Sequence, residues 1–207
     1  MPSRPNMIRS AKKRLKNDLE PRLGEAQANQ RVVYFVDAAH FVFNCYLGYL
    51  WCFTRVCVRA PSGRQRWNVL GAINAITHTL ITVTNETYIT STEVCTLLHK
   101  IAVAHVEQCI TVVLDNARYQ RCAKVQECAQ SLGIELLFLP PYSPNLNLIE
   151  RLWGFVKDTC LYSTYYTSFI DFKQSITTCL NETDGKHAKQ LQTLLTLKFQ
   201  TFKNVNL

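Results

Sequence analysis

Glycine, proline and long hydrophobic runs are scarce in this sequence, and each shortage excludes a class of protein. Seven glycines and seven prolines in 207 residues, with 47% hydrophobic and 18% charged residues, are not typical of collagen-like, low-complexity or disordered chains. The longest stretch without a charged residue, Trp67 to Asn85, contains Asn68, Asn74 and His78, which makes it too polar for a membrane span. The opening segment MPSRPNMIRSAKKRLK lacks the apolar core of a secretory signal. We therefore expect a soluble, cytoplasmic protein without a membrane partner, long enough for one good-sized domain.

The cysteines are numerous, but their arrangement is not that of a disulfide framework or a zinc site. There are nine, an odd number, and no two have CxxC spacing. Several stand beside large apolar residues, such as Cys109 beside Ile110 and Cys179 beside Leu180. We expect free thiols that act as small hydrophobic residues of the core in a reducing compartment.

Acidic residues are outnumbered by basic ones, 15 against 23, which gives a net charge of +8. A basic chain favours polyanionic partners, and nucleic acid is the first candidate. Residues 1–31 carry +5 of this charge and the other 176 residues only +3, so we expect a basic N-terminal extension over 1–31 and one folded domain over 32–207. Within the extension, Lys12, Lys13 and Arg14 form either an arm that contacts DNA phosphates or a solvated tail.

Apolar runs and helical periodicity predict a mixed α/β order, with three strands before the first helix of the domain and an alternation of helices and strands afterwards. The predicted strands cover residues 32–41, 67–76, 80–89, 110–114 and 135–139. The predicted helices cover residues 93–105, a segment ending at Gly133, a segment after the loop PPYSP (140–144), and a segment starting at Ser168. Their predicted N-terminal caps are Ser91 or Thr92, Asn145 or Asn147, and Ser168 with Asp171.

Two aspartates each end a buried β-branched run: Asp37 follows VVYFV, and Asp115 follows ITVVL. If the two strands are parallel neighbours, their carboxylates meet at one edge of the sheet. Glu150 lies in the first turn of the helix after PPYSP. Three carboxylates on rigid elements form an all-oxygen site, which suits Mg²⁺ or Mn²⁺, and two such ions can support an in-line phosphoryl displacement. Either aspartate alone would favour an ordinary strand-end residue that caps a turn or a following helix.

The motifs VDAAHF, VLDNARYQ and LPPYSPNLNLIERLW resemble the catalytic domain of insertion-sequence transposases of the Tc/mariner superfamily, and the resemblance runs from about residue 31 to the C-terminus. It implies a ribonuclease H-like α/β fold, a five-stranded mixed sheet with helices on both faces. The 34 residues between Asp115 and Glu150 are the interval of that family. Carried over, Asp37, Asp115 and Glu150 form the catalytic triad that binds two Mg²⁺ or Mn²⁺ ions. The implied chemistry is nicking at transposon ends and transfer of the freed 3′-hydroxyl to target DNA at a TA dinucleotide, by a homodimer associated with the nucleoid.

Two departures from the family pattern qualify this resemblance. Only 36 residues precede Asp37, where relatives carry helix-turn-helix modules, so we expect a catalytic half whose DNA-recognition half is missing or separately encoded. Ala38 follows the first aspartate, where many relatives have an acidic residue. A catalytically silent DNA-binding or dimerising regulator and a structure-selective nuclease of the same fold remain as alternatives.

The other polar residues near the triad have two interpretations each. Arg118, Arg151 and Lys157 either contact DNA phosphates or belong to an ordinary solvated surface. His40 is expected to be a loop or surface histidine rather than a partner of a carboxylate. Trp153 is expected to be a core residue rather than a platform for an unpaired base.

Overall fold

The chain folds as a five-stranded sheet with helices on both faces, in a computed structural model that describes residues 17–43, 53, 65–140 and 146–197. The strands are β1 (Arg31–Val42), β2 (Arg66–Asn74), β3 (Leu80–Asn85), β4 (Cys109–Leu114) and β5 (Ile134–Phe138). The helices are α1 (residues 17–27), α2 (Ser91–Ala104), α3 (Ala123–Ser131), α4 (Ile149–Val156), α5 (Phe169–Asn181) and α6 (Ala188–Leu194), and a π-helical turn, Lys157–Leu161, continues α4.

The sheet order is β3-β2-β1-β4-β5. Strand β1 pairs antiparallel with β2 and parallel with β4, and β4 pairs parallel with β5. The predicted mixed sheet of the ribonuclease H type is therefore confirmed. Within the described part of the chain, no helix is long and apolar enough to cross a lipid bilayer.

Strand β1 lies at the centre of the sheet and is buried on both faces. Val33 and Phe35 point into one hydrophobic cluster, which α4 and α5 complete, whereas Tyr34 and Val36 point into a second cluster on the side of α2 and α3. Because side chains alternate along a strand, every odd-numbered residue of this stretch, including Asp37, faces the α4 side.

The first predicted strand, residues 32–41, differs from β1 by one residue at each end. Asp37 lies within β1 rather than at its end, because β2 pairs with the strand along Tyr34–Val42, while the pairing with β4 stops at Phe35. The third predicted strand ends too late. Strand β3 ends at Asn85 instead of residue 89, because the side chain of Asn85 accepts from the Thr87 N–H at 3.2 Å and donates to the Tyr88 carbonyl at 2.7 Å, which closes a turn.

The helix ends are only partly as predicted. The cap of α2 is Thr90 rather than Ser91 or Thr92: its hydroxyl accepts from the Thr92 N–H, and Glu93 accepts from the Thr90 N–H at 2.7 Å. At the start of α5, the Ser168 hydroxyl accepts from the Asp171 N–H at 3.1 Å, as predicted. Helix α3 ends before Gly133, whose φ of +67° is a conformation that glycine adopts without strain.

The predicted basic N-terminal extension is folded in its described part. Helix α1 includes Pro21 and Gly24 and buries Leu19, Leu23 and Ala26 in the hydrophobic cluster on the α4 side of the sheet.

Ion pairs hold α1 on the sheet: Arg22 of α1 donates to Glu135 of β5 at 2.6 Å, and Arg31 of β1 donates to Glu25 of α1 at 2.5 Å and to Glu135 at 3.0 Å. These arginines lower the pKa of Glu135, and their own charge is balanced within the domain. The domain boundary at residue 31 stays a prediction.

The described cysteines are free thiols that differ in their burial. Cys160 and Cys179 are buried free thiols, as predicted. For Cys109 the prediction is wrong, because this residue opens β4 at the exposed end of the strand, ahead of its buried part. Cys95, Cys122 and Cys128 are half-buried and free, whereas Cys45, Cys52 and Cys57 lie outside the described residues.

Candidate active site

The first two carboxylates of the predicted triad come from neighbouring parallel strands. The register of β1 and β4 pairs Phe35 with Val113, and two residues further along the two segments lie Asp37 and Asp115. Phe35 and Val113 belong to the same hydrophobic cluster on the α4 side, so the aspartates follow on that side. The predicted parallel pairing is thereby confirmed.

The third carboxylate comes from α4, which packs over this side of the sheet. Ile149, Leu152 and Trp153 bury one side of the helix, while Glu150 in its first turn is exposed. The prediction that Asn147 caps α4 is wrong. Leu148 holds the cap position, and its side chain makes no capping hydrogen bond. Asn145 lies outside the described residues.

Asn147 instead joins the start of α4 to β1. Its side-chain amide is buried and donates to the Val36 carbonyl at 3.2 Å, directly before Asp37. Val36 adjoins Asp37, and Asn147 lies one turn before Glu150. This hydrogen bond therefore sets the position of the Asp37 carboxylate relative to that of Glu150.

Asp37 lies near enough to Glu150 and Asp115 for their charges to act on its carboxyl group. Its pKa is raised from 3.8 to about 7, first by burial and then by the negative charge of Glu150, with a further contribution from Asp115. Two hydrogen bonds work in the opposite direction, one from the Ala38 N–H and one from the indole N–H of Trp153, which donates to Oδ2 at 3.1 Å. Among the described residues, no Lys or Arg forms a salt bridge with any of the three.

Asp115 is held by the loop that follows β4. Its Oδ1 accepts from the Ala117 N–H at 3.0 Å, so it does form the ordinary turn that was the alternative interpretation. That bond engages one oxygen and leaves the second for other partners. Asn116 donates from its side chain to the Leu139 carbonyl and ties this loop to the end of β5.

Tyr119 is a site residue that the sequence analysis missed. Burial raises its pKa to about 12, and the charges of Asp115 and Asp37 contribute, so a neutral phenol stands beside the carboxylates. The only signal in the sequence was its place four residues after Asp115 in the motif VLDNARYQ. The neighbouring Gln120 is fully buried, and its Oε1 has no hydrogen-bond partner in the described parts of the chain.

The predicted DNA-contacting residues differ in their surroundings. Arg118 and Lys157 are exposed. Arg151 donates to the carbonyls of Leu194 and Thr196, at 3.1 and 2.6 Å, where the C-terminal carbonyls of α6 carry partial negative charge. The structure therefore gives Arg151 a role in holding α6.

Of the remaining predicted polar residues, Lys12, Lys13 and Arg14 lie outside the described residues. His40 lies on the side of β1 away from Asp37 and bonds to Asn68 at 2.7 Å, so it is a partner of the sheet and does not orient the carboxylate.

The three carboxylates are chemically suited to a divalent cation, although their side chains do not converge on a single point. Within residues 17–43, 65–140 and 146–197, no group of three His, Cys, Asp or Glu side chains lies at mutual distances suited to a single ion. Hard carboxylate oxygens without basic partners are nevertheless the ligands that Mg²⁺ and Mn²⁺ prefer. Their mutual repulsion, which adds to burial in raising the pKa of Asp37, is what a bound cation would relieve.

The sequence and the fold both have known counterparts. Residues 32–173, more than half of the chain, match the protein family described as DDE superfamily endonuclease. No curated protein sequence matches the chain.

Among solved structures, the chain is similar to the Mos1 transposase in its paired-end complex with the left transposon end, with 12% identity, a TM-score of 0.58, and coverage of 97% of this chain and 65% of that one. The mariner Mos1 paired-end complex with Mg matches at 13% identity with a TM-score of 0.55, over 94% and 64% of the two chains. A chain of the simian T-cell lymphotropic virus intasome in complex with PP2A regulatory subunit B56 gamma matches at 18% identity with a TM-score of 0.52, over 76% and 49%. The chain therefore spans about half to two thirds of the length of these proteins.

Proposed function

The chain belongs to the DDE superfamily endonucleases, and from this premise we propose that it is the catalytic domain of a cut-and-paste DNA transposase with Asp37, Asp115 and Glu150 as its triad. The resemblance to Tc/mariner transposases is confirmed by the family match and by the fold of Mos1. One observation carries the assignment of the triad: Asp37 and Asp115 follow the paired parallel stretches of β1 and β4, and Glu150 lies in the first turn of α4, which packs over the same side of the sheet. The charges of Glu150 and Asp115 add to burial in raising the pKa of Asp37 to about 7.

The triad is proposed to hold two Mg²⁺ or Mn²⁺ ions. When bound, such ions lower the pKa of water or polarise a 3′-hydroxyl and stabilise the leaving oxygen of an in-line displacement. The chain's own residues hold the acids in place: Trp153 donates to Asp37, Ala117 to Asp115, and Asn147 joins β1 to α4. The crystal structure of the mariner Mos1 paired-end complex with Mg supports the choice of metal.

The proposed substrate is the DNA at the ends of a transposon, and the proposed target is a TA dinucleotide. Exposed Arg118 and Lys157 are the described residues best placed to contact phosphates, and Lys12, Lys13 and Arg14 would add affinity without base recognition. A homodimer is proposed because two transposon ends must be joined, which agrees with the paired-end state of the Mos1 complex. A separately encoded helix-turn-helix protein would provide sequence recognition.

The test is a cleavage assay on the full chain with two duplexes, one bearing the ends of its own transposon and one of unrelated sequence. We expect Mn²⁺-dependent cleavage of the transposon ends, and its loss in Asp37→Asn, Asp115→Asn and Glu150→Gln. Asp158→Asn is the matched control, because Asp158 is an exposed acid on the π-helical turn next to α4. Circular dichroism and the melting temperature establish that each variant is folded.

The other outcomes distinguish the alternatives. Binding of the transposon ends without cleavage under any metal would support a catalytically silent regulator and overturn the proposal. Metal-dependent cleavage of flaps or junctions without preference for transposon ends would support a structure-selective nuclease. Cleavage that survives in Asp115→Asn would remove the triad assignment.

A further inference from the structure

A glycine of β2 and a tryptophan of α4 lie against each other beside the proposed catalytic Asp37. Gly71 is the direct partner of Asp37 across the antiparallel pair β1–β2, on the α4 side of the sheet between Val69 and Ile73. A Cβ atom added at Gly71 would lie 2.7 Å from Cη2 of Trp153 and 2.9 Å from Cδ1 of Ile149. The indole ring therefore occupies the space that the side chain of any residue other than glycine would fill at position 71.

The indole ring is held in one place and turns its polar edge toward the carboxylate. Trp153 is 2% exposed, and Phe41 packs against it edge to face with ring centroids 6.2 Å apart. Its Nε1 donates to Oδ2 of Asp37 at 3.1 Å. Trp153 follows Glu150 by three residues on α4. One rigid helix therefore carries both Glu150 and the group that donates a hydrogen bond to Asp37.

We propose that Trp153 is a positioning residue for Asp37, and that Gly71 is required because it admits the indole ring to the carboxylate. This inference rests on the proposed function, in which Asp37 is a metal ligand. The indole N–H fixes the orientation of the carboxylate, and α4 thereby sets the separation of Asp37 and Glu150. A core role alone would need only the bulk of the ring and would not select an N–H group.

The polar and the steric roles can be separated by substitution. Trp153→Phe removes the N–H and also the outer ring atoms, Cη2 and Cζ2, that lie closest to Gly71. Gly71→Ala should force the native indole away from Asp37, whereas Gly71→Ala combined with Trp153→Phe relieves the clash with the ring and leaves only the end of the Ile149 side chain to shift. Trp67→Phe is the matched control, since Trp67 is a half-buried tryptophan on the same side of the sheet, and its buried Nε1 has no hydrogen-bond partner within the described segments.

The experiment measures the Kd of Mn²⁺ on the full chain by electron paramagnetic resonance, the kcat and KM for cleavage of transposon ends, and the urea midpoint. We expect Trp153→Phe to bind Mn²⁺ about 10- to 100-fold more weakly and to lower kcat with KM for DNA unchanged. Trp67→Phe should match the native protein in its Mn²⁺ affinity and in its kcat. The double variant should regain the urea midpoint of Trp153→Phe while its Mn²⁺ affinity stays low.

Two results would overturn the inference, and they can be told apart. Native Mn²⁺ affinity and native kcat in Trp153→Phe would show that the ring acts only in packing, while the proposed function would stand. Equal Mn²⁺ affinity in Asp37→Asn and the native protein would show that Asp37 is not a ligand, and the triad assignment would fail together with the inference.

Discussion

The carboxylate of Asp37 is expected to destabilise the metal-free protein at neutral and alkaline pH, so Asp37→Asn should make the fold more stable there. Its pKa is raised from 3.8 to about 7 by burial and by the charges of Glu150 and Asp115. Between these two pH values the native state keeps a proton that the unfolded state has lost. Stability therefore falls as the pH rises from about 4 to about 7 and stays at its lowest above that range.

The magnitude follows from the size of the shift. At about 1.4 kcal/mol for each pH unit, a change from 3.8 to about 7 corresponds to at most about 4 kcal/mol above pH 7, most of which develops between pH 5 and pH 8. Because Asp37 is only half-buried and water can enter the site, we expect a measured difference on the order of 2 kcal/mol.

The assay is urea unfolding followed by circular dichroism at pH 5 and pH 8, in a chelating buffer, for the native chain, Asp37→Asn and the exposed control Asp158→Asn. The advantage of Asp37→Asn over the native chain should grow from pH 5 to pH 8, and the control should show no such change. Added Mn²⁺ should stabilise the native chain at pH 8 and leave Asp37→Asn unchanged. A native chain that is as stable as Asp37→Asn at pH 8, or more stable, would refute the reasoning.

Two further predictions concern the fold. Thr90→Ala should lower the free energy of unfolding by about 1 kcal/mol, because Thr90 caps α2; thermal melting measures this, and an unchanged melting temperature would argue against the cap. Leu19→Ala should cost about 2–5 kcal/mol in urea unfolding, because Leu19 is 4% exposed within the core, whereas the exposed control Asp18→Ala should stay within about 0.5 kcal/mol. A small effect of Leu19→Ala would mean that α1 is not part of the domain.

The triad shows how far local sequence patterns reach. Runs such as VVYFV and ITVVL are buried on both faces of a strand, so the acids that follow them could be placed at one edge of a sheet. Neither pattern contains information about the partner strand. Asp37 lies inside β1 rather than at its end because β2 pairs with the strand as far as Val42, which the run VVYFV alone does not show.

Short polar residues were the other source of error. Asn147 was predicted to cap α4, since asparagine is a common cap, but a buried carbonyl of β1 competes for its amide. Thr90 rather than Ser91 caps α2, and in a run of three hydroxyl residues the local pattern does not select one. In both cases the tertiary structure decides among partners that the local sequence leaves equivalent.

The sequence by itself determined the α/β order and pointed to the three acids of the proposed site, because hydrophobic periodicity and carboxylates that follow apolar runs are properties of neighbouring residues. Only the tertiary structure decided how those acids are held. Trp153 reaches Asp37 across 116 positions of the chain, and Gly71 matters because its missing side chain leaves room for that ring. Such contacts depend on which surfaces the folded sheet and helices bring together, and no local pattern records them.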